Sequence, residues 1–297
     1  MSPPGRPKGE YQSAQHEGSV TPPGRPKGEY RSAQHEGAPV NELDAPPPDP
    51  WAELRRHTPA RIALGRAGGS LPTGEVLRFA AAHAQARDAV HVALDVPALL
   101  AALQADGWPS LTVHSRAPTR ETYLRRPDWG RRLAPEPAAQ LPSQATGPVD
   151  LVIVLGDGLS ALAVQRHALP LLRALRSALA GTLSLAPVVV ATQARVALAD
   201  EVGELLQGRM ALVLLGERPG LSSPDSLGAY LTHAPRVGCH DAQRNCVSNI
   251  RPEGLAPEAA AHRLAWLARE ALRRRVTGIG LKDDSALALV GDGTAGT

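Results

Sequence analysis

The stretch MALVLLGERPGLSSPDSLGAYLTHAPRVGCHDAQRNCVSNIRPEG, from Met210 to Gly254, decides the fold. Met210 to Leu215 is continuously apolar, and the chain then turns through Gly216-Glu217-Arg218-Pro219-Gly220. A short apolar run bounded by turn residues is the pattern of a buried strand in a parallel sheet, although periodicity alone leaves a buried helix segment open. The Gly and Pro residues set the turn and let a ligand approach the backbone. Ser222, Ser223, Asp225 and Ser226 can satisfy exposed backbone donors or a polar ligand. In an α/β sheet, ligands bind on the loops that leave the carboxyl ends of the strands.

The same pattern recurs upstream. Val149–Leu155 reads as a strand, Gly156-Asp157-Gly158 as a tight turn, and Ser160–Ala180 as a helix with a kink at Pro170 and a stop at Gly181. Pro187–Thr192 reads as a second strand, Glu201–Gln207 as a short helix and Met210–Leu215 as the third strand. Ala256–Val276 is a helix with Pro257 in its first turn, Gly278 beyond its end and Leu264, Leu267, Ala268, Ala271 and Leu272 as its apolar stripe. Strands alternating with helices give an α/β fold, a parallel sheet with flanking helices, over residues 149–297.

Residues 51–148 read as a smaller, mostly helical region. Thr73 caps a helix over Gly74–Val90, with Leu77, Phe79, Ala80 and Ala84 as its apolar candidates. His83, Arg87 and His91 share one face of it, which suits either solvent or a partner. A second helix covers Val96–Ala105, and Leu111–His114 is a short strand. Tyr123–Arg132 is a turn-rich surface loop with Tyr123 and Trp129 as anchors, suited to an interface. Pro135–Pro148, rich in Pro, Ala and Gln, marks a boundary.

Residues 1–50 are a separate object. PPGRPKGEYQSAQHEG, from Pro3 to Gly18, recurs as PPGRPKGEYRSAQHEG from Pro22 to Gly37, differing only in Gln12 against Arg31. Two units with almost nothing apolar cannot bury a core, so the tail is expected to be disordered. The tail after Leu281 is expected to be loose.

Composition excludes several classes. A net charge of +3 without a concentrated basic face argues against nucleic acid. The run Arg273-Arg274-Arg275 closes a helix, where cations complement the dipole. No run is long and apolar enough for a membrane span, and the N-terminus lacks an apolar signal core. Two cysteines point to a reducing compartment.

Three constellations could carry chemistry. Gly156-Asp157-Gly158-Leu159-Ser160-Ala161 fits G-x-G-x-x-A after a strand, which suits a pyrophosphate at a helix N-terminus. The acid expected after the next strand is missing, where Ala191, Thr192 and Gln193 stand, so the turn reads as a backbone nest for a ligand other than NAD. The loops Gly156–Gly158, Thr192–Val196 and Gly216–Gly220 would emerge on one sheet edge and enclose a crevice. Glu217 offers a carboxylate there, and on spacing alone it is an exposed loop acid. Cys239, His240 and Cys246 lack zinc or redox spacing, and the cysteines read as packed or ligand-contacting thiols.

The segments ARIALGRAGGSLPT (60–73), HAQARDAVH (83–91), YLRRPDWGRRL (123–133), GDGLSALAVQRHA (156–168), GERPGLSSPDSLGAYLTHAPR (216–236) and DAQRNCVSNIRPEGL (241–255) resemble the small, or light, subunit family of ethanolamine ammonia-lyase. The resemblance spans roughly residues 56 to 280 and leaves the repeated tail outside. It implies a Rossmann-like part that closes over adenosylcobalamin at the interface with a large, TIM-barrel subunit in a hetero-oligomer. That enzyme converts ethanolamine to acetaldehyde and ammonia through an adenosyl radical, with the catalytic side chains on the large subunit. The resemblance therefore implies no catalytic residue and no metal ligand on this chain. Absence of Asp-x-His-x-x-Gly agrees with a cofactor that keeps its own benzimidazole on cobalt. Val196, Glu217 and Cys246 match the family's cobalamin contacts, and Gly156, Asp157 and Gly158 are assigned to the same pocket. The resemblance further implies a cytoplasmic protein of ethanolamine degradation, with a bacterial microcompartment as a candidate enclosure.

Overall fold

Six strands make one sheet in the order β1-β3-β2-β4-β5-β6. They are β1 (Ser110–His114), β2 (Val149–Gly156), β3 (Val188–Thr192), β4 (Gly208–Gly216), β5 (Leu227–His233) and β6 (Arg244–Ile250). β1, β3, β2 and β4 run parallel, while β5 and β6 pair antiparallel beside β4. The α/β expectation holds, and the expected parallel sheet is mixed. The computed structural model describes residues 51–58, 60–66 and 68–286, so the expectations for the tail at 1–50 and for the chain beyond 286 lie outside the described residues.

The apolar runs earn their continuity by being buried on both faces. On one face Leu151, Ile153, Leu155, Val188, Val190, Met210, Leu212 and Leu214 join the core of α2 (Val96–Ala105), α5 (Ala161–Leu179) and α7 (Pro257–Arg274). On the other, Val152, Val154, Val189, Ala191, Ala211 and Val213 pack with α6 (Leu198–Leu205) through Leu198, Ala199 and Val202. Each fully buried side chain of this size contributes roughly 1.5–3 kcal/mol. α5 buries Leu171, Leu172 and Leu175 and runs on through Pro170, which lies on its exposed face. There water can take the carbonyl that the missing N–H leaves free. Gly181, at φ +71°, follows the end of α5, as the sequence predicts.

Two elements escaped the sequence reading. β5 and β6 carry Gly, Asn and Ser, and their alternation is too weak to announce a strand. They form because β4 offers β5 a full antiparallel ladder, Met210↔His233 to Gly216↔Leu227, and β5 in turn supports β6. β1 comes from before the expected boundary at Pro135–Pro148 and pairs with β3 beyond it, so the sheet draws on both sides. That stretch itself folds as α4 (Pro135–Gln140) and a 3₁₀ turn over Leu141–Gln144.

The first helix, α1 (Thr73–His91), differs most from expectation. Thr73 is its first residue, and the capping position is Pro72, which donates no side-chain cap. Of its 19 residues only Ala82 and Ala89 are buried. Leu77 is 64% exposed and Phe79 is 45% exposed, and Val76, Ala80 and Ala84 are exposed as well. His83, Arg87 and His91 are also exposed, with His83 edge-on to Phe79 at 4.7 Å. Among the described residues no single helix is long and apolar enough to cross a membrane.

Candidate functional site

The parallel strands bring three loops to one edge of the sheet. Gly156, the last residue of β2, lies in register with Ala191 of β3 and Leu215 of β4. The segments that follow, around Gly156–Gly158, Thr192–Val196 and Gly216–Gly220, therefore meet as the sequence predicts.

The first of these loops is filled from within the protein. A Cβ on Gly158, at φ +57°, would lie 2.1 Å from the Gly216 carbonyl oxygen, and one on Gly156 would lie 2.7 Å from Leu215 Cδ1. Leu159 donates its N–H to the same Gly216 carbonyl at 2.9 Å. That contact packs the turn against its neighbour, and Gly156, Asp157 and Gly158 are not among the residues that line the crevice between the loops. Asp157 is buried and accepts the backbone N–H groups of Gln193 and Ala194, both at 2.9 Å. Burial raises its pKa, while these amides and Arg120, whose Nη1 is 3.6 Å away, pull it down. Gly156, Asp157 and Gly158 thus act as the wall that holds the second loop.

That second loop is fixed from three further directions. The Tyr123 hydroxyl donates to the Ala194 carbonyl at 3.1 Å. Arg195 donates its backbone N–H to Gly130 at 2.8 Å. Arg120, which donates to the Gly158 carbonyl at 2.7 Å, stacks over the Tyr123 ring at 4.7 Å, and Arg195 stacks over the same ring at 4.6 Å. The segment read as a surface loop is thus partly interior. Tyr123 sits in the short helix α3 (Arg120–Arg125), almost fully buried, and desolvation pushes its hydroxyl up to about 12.

Between these loops lies a crevice of about 590 Å³. Val196 and Glu217 both line it, together with Tyr123, Arg195 and Tyr230, and the Cys239–Asp241 segment completes it. Glu217 is oriented rather than free. The Ser226 hydroxyl donates to its Oε2 at 2.6 Å, and its own N–H donates to the Ser226 carbonyl at 2.9 Å. Its Oε1 lies where a Cβ on Gly228 would come within 2.6 Å, so the glycine makes room for the carboxylate. The rest of the polar cluster locks the loop onto α5. Asp225 accepts from Arg166 at 2.8 Å and contacts His167 at 3.3 Å, and the Ser160 hydroxyl donates to the Pro224 carbonyl at 2.8 Å.

Cys246 does not line the crevice directly. It lies on β6 opposite Tyr230, which does. Burial pushes the Cys246 thiol above its ordinary value, and the Tyr230 hydroxyl beside it pulls the other way. The residue is nevertheless exposed in this chain, and a raised thiol pKa keeps it protonated at neutral pH and disfavours nucleophilic chemistry. Cys239 and Cys246 are both free. A second cavity of similar volume flanks β1, between Trp108 and Gln144, and contains none of the residues singled out.

Tyr123, Arg195 and Tyr230 are the residues that sequence reasoning missed. Tyr123 stood inside a segment that it assigned to the surface, and Tyr230 lies on a strand that it did not see. Arg195 stood next to Val196, and its neighbour's role was the one available signal.

The sequence profile of the ethanolamine ammonia-lyase light chain (EutC) matches residues 48–282. The chain belongs to the ethanolamine ammonia-lyase light-chain family. It is 56% identical over 255 residues to the ethanolamine ammonia-lyase small subunit of Pseudomonas syringae pv. tomato, covering 84% of this chain and 89% of that one. It is 59% identical over 244 residues to the small subunit of Azotobacter vinelandii, covering 81% and 90%. For the small subunit of Xanthomonas campestris pv. campestris the identity is 58% over 254 residues, covering 84% and 93%. In this light-chain member the crevice and every residue discussed above fall within the matched region, and the duplicated tail falls before it.

Proposed function

We propose that this chain is the small subunit of an adenosylcobalamin-dependent ethanolamine ammonia-lyase and completes the cobalamin pocket against the large subunit. The observation that carries the reading is the convergence of Val196 and Glu217, from two different strand-end loops, on one crevice in a light-chain family member. The residues fit the group. A corrin ring is apolar across its face and fringed with primary amides. Glu217, held by Ser226, is a fixed acceptor for an amide N–H, and Val196 offers apolar contact. Cys246 is the cross-strand partner of Tyr230, which lines the crevice, so it supports the wall rather than the cobalt.

When bound, adenosylcobalamin supplies the radical that takes hydrogen from ethanolamine. This chain's residues do the rest of their work by binding and covering: they hold the cofactor's rim and exclude water from one side. No catalytic side chain is assigned here. The role would serve ethanolamine catabolism, in the cytoplasm or within a bacterial microcompartment.

The uncovered apolar side chains of α1 support a large-subunit partner. Val76, Leu77 and Phe79, exposed together on one helix, form an apolar patch of the kind that marks a protein–protein contact. Leu77→Asp combined with Phe79→Asp is expected to reduce recovery of the large subunit at least about tenfold, at a cost of under about 1 kcal/mol to the chain's own stability. Pull-down of the co-expressed large subunit, alongside urea melts of the isolated chain, would separate the two effects. Undiminished recovery would remove α1 from the interface.

The whole reading is tested by co-expressing this chain with an ethanolamine ammonia-lyase large subunit and purifying by a tag on this chain. Co-purification, with acetaldehyde release that depends on added adenosylcobalamin, is the expected result. Two soluble chains that neither associate nor react would sink it. Within that complex, Glu217→Ala is expected to weaken cobalamin binding by roughly 1.5–3 kcal/mol, about ten- to a hundredfold. An unchanged dissociation constant would remove Glu217 from the pocket.

A further inference from the structure

The crevice carries more positive charge than its surroundings balance. Arg131, Arg195 and Arg218 all line it, and none of the three makes an ion pair among the described residues. The contrast with their neighbours is plain. Arg120 pairs with Asp157, Arg132 with Glu201 at 3.0 Å and Arg244 with Asp200. Of the two acids in the crevice lining, Glu217 is bound by Ser226, and Asp241 is turned to Arg244 at 3.5 Å.

Arg195 is the best placed of the three. Gly130 lets its stem approach closely, since a Cβ there would meet Arg195 Cγ at 2.8 Å. The guanidinium sits over the Tyr123 ring, its Nη2 donates to the Tyr123 carbonyl at 3.4 Å, and its Nε is buried without any hydrogen-bond partner. A held, half-buried guanidinium with an unmet donor favours an anion that can accept in its plane, and phosphate oxygens match that geometry.

We infer that Arg195, assisted by Arg131 and Arg218, binds the phosphodiester of the cobalamin nucleotide tail. The inference rests on the cobalamin reading given above. That phosphodiester is the one anionic group on the periphery of the cofactor, whose other polar groups are neutral amides and hydroxyls. Arg195 thereby selects the complete cofactor over corrinoids that lack the tail.

The test compares two probes on the assembled two-subunit complex. Cyanocobalamin carries the phosphodiester, and dicyanocobinamide has the same corrin and amides without it. Dissociation constants for both come from equilibrium dialysis, read by corrin absorbance. Arg195→Gln is expected to weaken cyanocobalamin about tenfold or more and to leave cobinamide within about twofold. Arg218→Gln, on an exposed side chain whose loss threatens no packing, is expected to give a smaller loss of the same selectivity. Equal weakening of both probes would overturn the inference, since it would mean a structural role, a corrin contact or a large-subunit carboxylate as the true partner. Unchanged binding of both would overturn it too. If the unmodified complex bound neither probe, the cobalamin reading itself would fall and take the inference with it.

Discussion

Gly158→Ala is expected to destabilise the chain by about 3 kcal/mol or more, because the new methyl group meets backbone, not a yielding side chain. It would sit 2.1 Å from the Gly216 carbonyl oxygen and 2.9 Å from the Gly216 nitrogen. Gly216 in turn cannot retreat, since a Cβ on it would already lie 1.9 Å from the Ser160 carbonyl oxygen. The two turns at the ends of β2 and β4 are therefore interlocked, and the crevice is built on that lock. Gly181 provides the control. It has the same left-handed backbone at φ +71°, but nothing lies within 4 Å of an added Cβ. Gly181→Ala should cost only about 1–2 kcal/mol, the conformational part alone. Urea melts of both variants would give the difference, and equal losses would show that close approach at Gly158 contributes nothing. Gly158→Ala should also weaken cobalamin binding in the assembled complex, through the displaced Glu217 loop.

Arg244→Met is expected to cost about 3–5 kcal/mol at neutral pH, because it leaves Asp200 buried without its counter-charge. Both side chains are 2% exposed, and Arg244 Nη2 donates to Asp200 Oδ2. The same nitrogen donates to the Cys239 carbonyl at 3.1 Å, so this pair also holds the Cys239–Asp241 wall of the crevice. Asp200→Leu combined with Arg244→Met should recover much of the loss, as replacement of a buried pair by packed apolar groups does. Burial pushes the Asp200 carboxyl up to about 6, with Arg244 restraining it. Because the folded state holds this proton more tightly than the unfolded chain, its contribution to stability is greatest below about pH 4 and is lost as pH rises through about 6. Removing Arg244 removes the restraint and moves the carboxyl further up. The deficit of Arg244→Met should therefore be smaller at about pH 5, where Asp200 is protonated, than at about pH 8. Unfolding midpoints at the two pH values check this, and a pH-independent deficit would mean that the lost packing, not the charge, decides.

Much of the fold was legible because burial on both faces demands continuous apolar runs. Val149–Leu155 and Met210–Leu215 show such runs, and the structure extends the first by one residue and the second by three. Helix limits were legible where local signals act, as at Pro257, while the cap at Asp95, whose Oδ1 accepts the Ala98 N–H at 3.0 Å, emerged only in the structure. Local signals misled at Thr73, where Pro72 takes the capping position, and around Leu77 and Phe79, which stay largely exposed.

The sequence by itself determined the α/β class, the strand-end crevice with Val196 and Glu217 in its loops, and the family, because these rest on periodicity, turn residues and contiguous motifs. The tertiary structure decided how the site is held and charged. It assigned Gly156–Gly158 to packing against Gly216, set Tyr123 beneath Arg195, and brought Cys246 to Tyr230 through the β5–β6 pairing. Those contacts join residues 16 to 72 positions apart, and no local pattern encodes them. They exist because the sheet brings these separate segments together at one edge.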